Sequence, residues 1–437
     1  MSNQSGGSFQ LPHSNKREQD APSTLVPKLR FPEFLEAGEW KEKELAELIF
    51  IVTPTKKLQT AQYSDIGLFP IIDQSQSYIS GWTDDDGAAI KENLPLIVFG
   101  DHTCALKMVD RPFVQGADGI KIFRANSDAF TSYLYQFLQF NPVKMEEYKR
   151  HFSILKSKKV FYPDEKSGEQ QKIASCLSSL DDLITVENQK LDTLKTHKIG
   201  LMQRLFPKVG GASSSPSHSR EQDALATLVP ELRFQEFRGA EGWIRDKLGN
   251  ISTIKSGGTP NRANSEYWGG SIPWVTTSLI DSSIIFDVTE YITKAGIENS
   301  SAQIFPKSTI LMAMYGQGKT RGKVGVLGID AATNQACAAI ILKRKIETGF
   351  VFQNLVSRYE EIRKISNSGG QENLSAELIK GISFFFPENC REQQKIASCL
   401  SSLDDLIAAH TRKLETLKIH KKGLMQQLFP SVDGVNK

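Results

Sequence analysis

Apolar side chains at Ile173, Leu177, Leu180, Ile184, Leu191, Leu194, Leu201 and Leu205 recur on alternating steps of four and three, with Glu187 and Lys198 in the two gaps. The same pattern returns from Ile396 through Leu428, with His410 and Lys421 in the gaps. A sustained a/d seam of this kind predicts a long helix that buries one face against a partner helix. Each stretch runs about 38 residues, which gives an axis of about 57 Å at 1.5 Å per residue. One reading buries each stripe on its own domain, the commoner fate of an amphipathic helix. The residues favour pairing: EQQKIASCLSSLDDLI begins at Glu169, returns letter for letter at Glu392, and both copies continue through GLMQ to LFP, ending at Pro207 and Pro430. Two copies from one duplication most simply pack together, antiparallel, about a pseudo-twofold axis.

A second repeat precedes each helix. REQDAPSTLVPKLRFPEF, from Arg17 to Phe34, returns as REQDALATLVPELRFQEF, from Arg220 to Phe237, and Trp40 returns as Trp243. The long repeat is offset by 223 positions and this one by 203, so the frame is kept while the enclosed inserts differ in length. In the first insert LPLIVFGDHT and FVQGADGIKIF read as strands broken by Gly and Asp, followed by a helical AFTSYLYQFLQF. In the second, STILMAMYG, GKVGVLGI and NQACAAIIL read as strands and FVFQNLVSRYEEIRKI as a helix. Ser-, Gly- and Asn-rich stretches at the start of the chain and at GGASSSPSHS read as connectors. The expected plan is mixed α/β (α+β): a connector over 1–39, a first domain over 40–164, a long helix over 165–207, a linker over 208–242, a second domain over 243–388, a second long helix over 389–430 and a tail over 431–437.

Composition changes this picture little. With 39% hydrophobic and 24% charged residues, the 437-residue chain has the make-up of an ordinary soluble protein of two or three domains. Five cysteines (Cys104, Cys176, Cys337, Cys390 and Cys399) show no CxxC or Cys/His spacing, which points to a reducing cytoplasm and to no structural metal. No leader-like opening and no apolar run of membrane-spanning length is present, so neither secretion nor a membrane is expected. A net charge of +3 is too small to announce nucleic acid by itself, so any DNA contact must come from local patches.

Two variable domains alternating with two near-identical long helices resemble the specificity (S) subunit of Type I restriction-modification enzymes. The likeness covers essentially the whole chain. It is carried by EQQKIA after an aromatic-proline strand end (FYP at Phe161, FFP at Phe385), by SGGTP at Ser256, YWGG at Tyr267 and IPWV at Ile272, and by MYGQGKTRGKVGVLGI from Met314 followed by NQACAAI from Asn334. The resemblance implies a non-catalytic subunit whose two target recognition domains each read one half of a split, asymmetric double-stranded DNA target, while the helices set the spacer. It further implies two methyltransferase subunits carrying S-adenosylmethionine, and restriction subunits using ATP and Mg, with no cofactor on this chain.

Candidate chemistry agrees with a binder. An adenine methyltransferase needs Asn/Asp-Pro-Pro-aromatic to hold a flipped base, and the nearest stretch, Asn141-Pro142-Val143-Lys144, lacks the second proline and the aromatic. GQGKT at Gly316 lacks the glycine that a phosphate loop needs five residues before Gly318, since position 313 is Ala. A Gly-rich turn carrying Gln317, Lys319, Thr320, Arg321 and Lys323 instead suits DNA, with Lys and Thr on phosphate and Arg or Gln on base edges; a solvated hairpin tip is the bland alternative. In the first domain the comparable turn holds Asp101, His102 and Thr103, where His beside Asp has no nucleophile or paired carboxylate at a useful spacing, so no catalytic residue is assigned. Lys149, Arg150 and Lys156, within the acid-free YKRHFSILKSKK, form a phosphate-tracking strip or a solvated face. Gln74 and Ser75 either read bases or close a turn. The competing function is a coiled-coil scaffold whose domains bind protein, and salt-dependent DNA binding separates the two.

Overall fold

Short apolar runs bounded by Gly and Asp become strands throughout the computed structural model, which describes residues 25–146, 150–207, 229–316, 319–343, 345–365 and 373–430. The chain divides into two units. Unit 1 holds the residues up to Glu187 and those from Lys413 onward, and unit 2 holds Asn188–Arg412. Each unit thus contains one insert domain, the first half of the long helix that follows it, and the second half of the other long helix.

The strands of unit 1 are β1 (Lys41–Glu44), β2 (Ile49–Val52), β3 (Phe69–Ile72), β4 (Gly81–Thr83), β5 (Ala89–Ile90), β6 (Leu96–Gly100), β7 (Leu106–Val109), β8 (Phe113–Gln115), β9 (Ile120–Ala125) and β10 (Lys159–Tyr162). They build an antiparallel sheet β2-β9-β6-β7, a mixed sheet β4-β3-β8-β5 and a pair β1-β10. The period of two decides which core each side chain joins. Ile97 and Phe99 of β6 enter a cluster with Tyr133 and Phe137, whereas Leu96 and Val98 enter a second one with Ile72 and Phe113. The helices are α1 (Leu45–Leu48), α2 (Thr131–Phe140), α3 (Phe152–Lys156) and the first half of α4 (Glu169–Leu205).

Unit 2 repeats the wiring in different letters. Its strands are β11 (Ile244–Lys247), β12 (Ser252–Ser256), β13 (Trp268–Val275), β14 (Ile284–Ile285), β15 (Glu290–Ile292), β16 (Ile304–Phe305), β17 (Ile310–Ala313), β18 (Val324–Leu327), β19 (Ala331–Thr333), β20 (Cys337–Leu342) and β21 (Ser383–Phe386). The sheets run β12-β20-β17-β18-β14 and β15-β13-β19-β16, with a pair β11-β21. Its helices are α5 (Leu248–Ile251), α6 (Lys294–Glu298), α7 (Thr348–Ser357), α8 (Tyr359–Lys364), α9 (Ala376–Gly381) and the first half of α10 (Cys390–Leu428). The single helix expected over FVFQNLVSRYEEIRKI is broken at Arg358, whose guanidinium turns away to the Ser383 carbonyl (2.6 Å) and to Glu361.

Every a/d position of α4 and α10 is buried or half-buried. Within unit 1, Asp181 pairs with Lys421 (2.6 Å) and Glu187 with Lys413 (2.9 Å), so one helix advances as the other retreats: the pairing is antiparallel. In unit 2, Lys198 pairs with Asp404. The repeated LFP endings are plugs. Phe429 sits 5.3–5.7 Å from the rings of Tyr133, Phe137 and Phe140 in unit 1, and Phe206 sits 5.6 Å from Phe350 and 6.4 Å from Trp243 in unit 2. Burying a phenylalanine in this way stabilises each junction by about 2–3 kcal/mol.

The two repeats with different offsets meet in a buried ion pair that occurs twice. Arg30 donates to both carboxylate oxygens of Glu169 (2.6 and 2.7 Å), and two further N–H groups reach the Ala37 and Gly38 carbonyls. Arg233 does the same with Glu392 (both 2.7 Å) and with the Ala240 and Glu241 carbonyls. Four hydrogen bonds on each guanidinium are what make such a buried pair tolerable, and its worth is in fixing one geometry.

Candidate nucleic-acid interface

In unit 1 the β6–β7 turn joins two surface features. On one side, the Thr103 hydroxyl donates to the Gln74 carbonyl and so ties the turn to the loop at 73–80. On the other, Asp101 is buried and caps α3: its carboxylate accepts from the Phe152 amide (2.8 Å), and its carbonyl accepts from the His151 amide and ring Nδ1. The Glu146 amide donates to His151 Nε2, which places the ring proton on Nδ1. Asp101 and Thr103, expected at the DNA surface, are therefore the joinery of the turn. A carboxylate turned inward to a helix N-terminus is not free for a ligand. His102 alone of the three is exposed.

The basic strip is thinner than the sequence suggests. Lys158 is held by Asn141 and Lys159 by Glu42. Arg150 is exposed. Lys156 lies over the Phe152 ring at 5.7 Å, and Lys121 of β9 lies over the same ring at 6.0 Å. Two ammonium groups gathered on one ring, two residues along the chain from the exposed Arg150, form a patch suited to phosphate. Lys149 lies outside the described residues.

The loop at 73–80 stands on a buried lysine. Lys107 of β7 is 5% exposed, and its ammonium donates to the Asp73 (2.8 Å) and Ser77 carbonyls. Burial holds its pKa below the ordinary lysine range, opposed by the charge of Asp73. Asp73 accepts from the Ser75 amide and the Ser80 hydroxyl; burial raises its pKa, but these bonds outweigh it and the net direction is down. Ser75 closes the loop, bonded to Asp73 and to the Ser80 hydroxyl. The signal available in the sequence was a lysine at an inward position of LKMVD, where alternation calls for an apolar residue.

In unit 2 the Gly-rich turn is equally built in. Arg321 is 8% exposed and donates to the Arg363 carbonyl at the end of α8 (2.9 Å). Expected to read bases, it is a buried tie between turn and helix, its side chain drawn back onto the domain by the Arg363 carbonyl, and the turn continues through Gly322 at φ +83°. Lys323 is engaged by Asp281. Thr320 is half-buried, its carbonyl accepting from the Lys323 amide, and Lys319 is exposed, its carbonyl accepting from the Tyr359 hydroxyl. Gln317 lies outside the described residues. SGGTP has a steric reason: a Cβ on Gly257 would stand 2.1 Å from the Thr333 carbonyl oxygen, and one on Gly258 2.3 Å from the Ala302 nitrogen. That close approach lets Gly258 accept from the Trp274 indole (3.0 Å), while Arg262, paired with Glu290, stacks 3.9 Å over Trp268. Nothing in the sequence linked Arg262 to those tryptophans.

Two domains of one wiring, each presenting polar and basic side chains on rigid turns, and each bolted to paired helices by the same ion pair and aromatic plug, define a two-headed recognition protein. Residues 37–196 and 240–418 both match the family described as Type I restriction modification DNA specificity domain, and the chain belongs to that family. It is similar to the Type I restriction enzyme EcoR124I/EcoR124II specificity subunit of Escherichia coli, 26% identical over 382 residues that cover 85% of this chain and 88% of that one. It is also similar to the MjaIX specificity subunit of Methanocaldococcus jannaschii, 29% identical over 184 residues, 40% of this chain and 41% of the relative. The S subunit of a Type I system from M. genitalium has the same fold, with a TM-score of 0.65 at 17% identity over 93% of this chain and all of that one. Among the described residues no helix is long and apolar enough to cross a membrane.

Proposed function

We propose that this chain is the non-catalytic specificity subunit of a Type I restriction-modification complex. Each domain reads one half of a two-part double-stranded DNA target, and the paired helices hold the two readings at a fixed interval. The observation that carries this is the duplicated frame: identical Arg–Glu and Lys–Asp pairs and identical Phe plugs hold two domains of one topology whose exposed turns differ. A frame kept constant around variable contents is what two independent readers require, and different contents imply an asymmetric target.

The partners follow from the same reading: two methyltransferase subunits that bring S-adenosylmethionine, and restriction subunits that bring ATP and Mg, all in the cytoplasm with the DNA. The outer faces of the long helices are not purely charged. Leu183 and Val186 of α4 and Leu406 and Ile419 of α10 are exposed, and exposed apolar groups on a helix suit partner subunits. The test is to exchange residues 243–388 for the matching domain of a relative and to map the methylated motif. One half should change and the other stay; a change in both halves, or salt-insensitive association with DNA, contradicts the proposal.

A further inference from the structure

We propose that Gln76 and His102 are the residues with which the first domain reads bases, and that Lys107 is the positioning residue that fixes them. This rests on the function proposed above. Reading a base edge takes a side chain with paired donor and acceptor groups on a backbone that does not yield. Gln76 and His102 are both exposed, and they come from the two segments that the Thr103–Gln74 bond holds side by side. The Gln76 amide nitrogen rests 3.5 Å from the Thr103 carbonyl, a contact at the limit of hydrogen bonding that parks the amide without consuming it. A glutamine amide matches adenine N6 and N7, and imidazole offers one donor and one acceptor.

The support beneath them is specific. Lys107 is opposite Val98 in the β6–β7 register, and its ammonium bridges the carbonyls of Asp73, three residues before Gln76, and of Ser77, the residue after it. The Gln74 side chain packs closely against two glycines: a Cβ on Gly119 would come within 2.7 Å of Gln74 Oε1, and one on Gly100 within 3.1 Å of Gln74 Cβ. The turn that bears His102 also anchors α3 through Asp101, and α3 carries Lys156, whose ammonium shares the Phe152 ring with that of Lys121. Point charges there hold the backbone of the duplex while the amide and imidazole face base edges.

The experiment uses the assembled complex with its methyltransferase subunits, mapping the methylated motif and measuring binding to cognate and singly mismatched DNA across salt concentrations. Gln76→Ala should reduce discrimination at one position of one half-site by about tenfold, leaving the other half and the salt slope unchanged; His102→Ala should act within the same half. Lys107→Met should relax the positions that those two variants relax without lowering affinity for non-specific DNA, a pattern that general loosening of the domain does not give. Both surface variants keep the core, so they test the assignment even where Lys107→Met folds poorly. Retained discrimination in Gln76→Ala and His102→Ala, or sequence-blind losses in either, overturns the inference while the two-part motif of the unaltered chain leaves the function standing. An unaltered complex with no two-part motif overturns both.

Discussion

Lys421 donates to Asp181 at 2.6 Å across the helix pair of unit 1, at a seam position where the heptad calls for an apolar residue. Gln136 of α2 donates to the other oxygen of Asp181, and Gln139 accepts a second bond from Lys421. Unit 2 repeats the arrangement, with Lys198 and Gln353 both on Asp404. A charged pair in the seam fixes register, since sliding the helices strands an ammonium in an apolar groove, and the glutamine keys the recognition domain to that register.

Removing one member should therefore cost more than removing both. Asp181→Leu leaves the largely buried Lys421 without its counter-charge, held only by Gln139, and should destabilise unit 1 by about 2 kcal/mol, whereas Asp181→Leu with Lys421→Met should recover most of the loss. A double-mutant cycle on denaturant unfolding measures this coupling, and additive losses would mean that the pair fixes nothing.

The plug makes a second prediction about stability. Phe429→Ala empties a site enclosed by Tyr133, Phe137 and Phe140, and large-to-small changes in such settings cost about 3–5 kcal/mol. The loss should appear as faster amide exchange in α2 and in the last turns of α10. Exchange rates equal to those of the unaltered protein would show that Phe429 is not seated there.

In the second domain, placement divides two basic residues of one turn. Arg321→Ala leaves the Arg363 carbonyl without its guanidinium donor and should cost about 1–3 kcal/mol of stability, read as a lower unfolding midpoint. Lys319→Ala should leave the midpoint alone and reduce the slope of log affinity against log salt by about one unit. The reverse outcome would return Arg321 to the DNA surface.

How far the sequence reached follows from which physical signals are local. The long helices were legible because a period of 3.5 runs over ten seam positions, and the strands because a short apolar run ended by Gly and Asp is visible within a few residues, as in β6. The meeting of Arg30 with Glu169 was not, since 139 residues separate them; the only hint was that each belongs to a repeated segment. Arg321 was misplaced because charge in a Gly-rich turn says nothing about which way the side chain folds, and only the carbonyl at the end of α8 decides it. Asp101 was misplaced for the same reason, its partner lying 51 residues away.

Burial also sorts the thiols. Cys337 is fully buried, and burial pushes its pKa up to about 12, while Cys104, Cys176, Cys390 and Cys399 are half-exposed. Alkylation of the native protein at about pH 8, near the ordinary thiol pKa, should label the other four in preference and spare Cys337 until denaturant is added. Peptide mass spectrometry reads the outcome, and early labelling of Cys337 would contradict the packing of β20.

Because Asp181 and Lys198 lie on one helix, and Asp404 and Lys421 at the matching places of the other, each helix carries one member of both seam pairs. A fragment of residues 25–207 then holds everything the seam needs from a second copy of itself: antiparallel pairing sets Asp181 of each copy against Lys198 of the other, and Phe206 of each copy stands where Phe429 plugs unit 1. The fragment should be a dimer, measured by light scattering, with an equilibrium that depends on concentration as any bimolecular association does. Lys198→Glu should shift that equilibrium to monomer by setting like charges against each other, and adding Asp181→Lys on the same helix should restore the dimer, because both pairs are then re-formed with reversed sign. A dimer indifferent to both substitutions would show that the leucines alone set the pairing and that the seam charges do not choose the register.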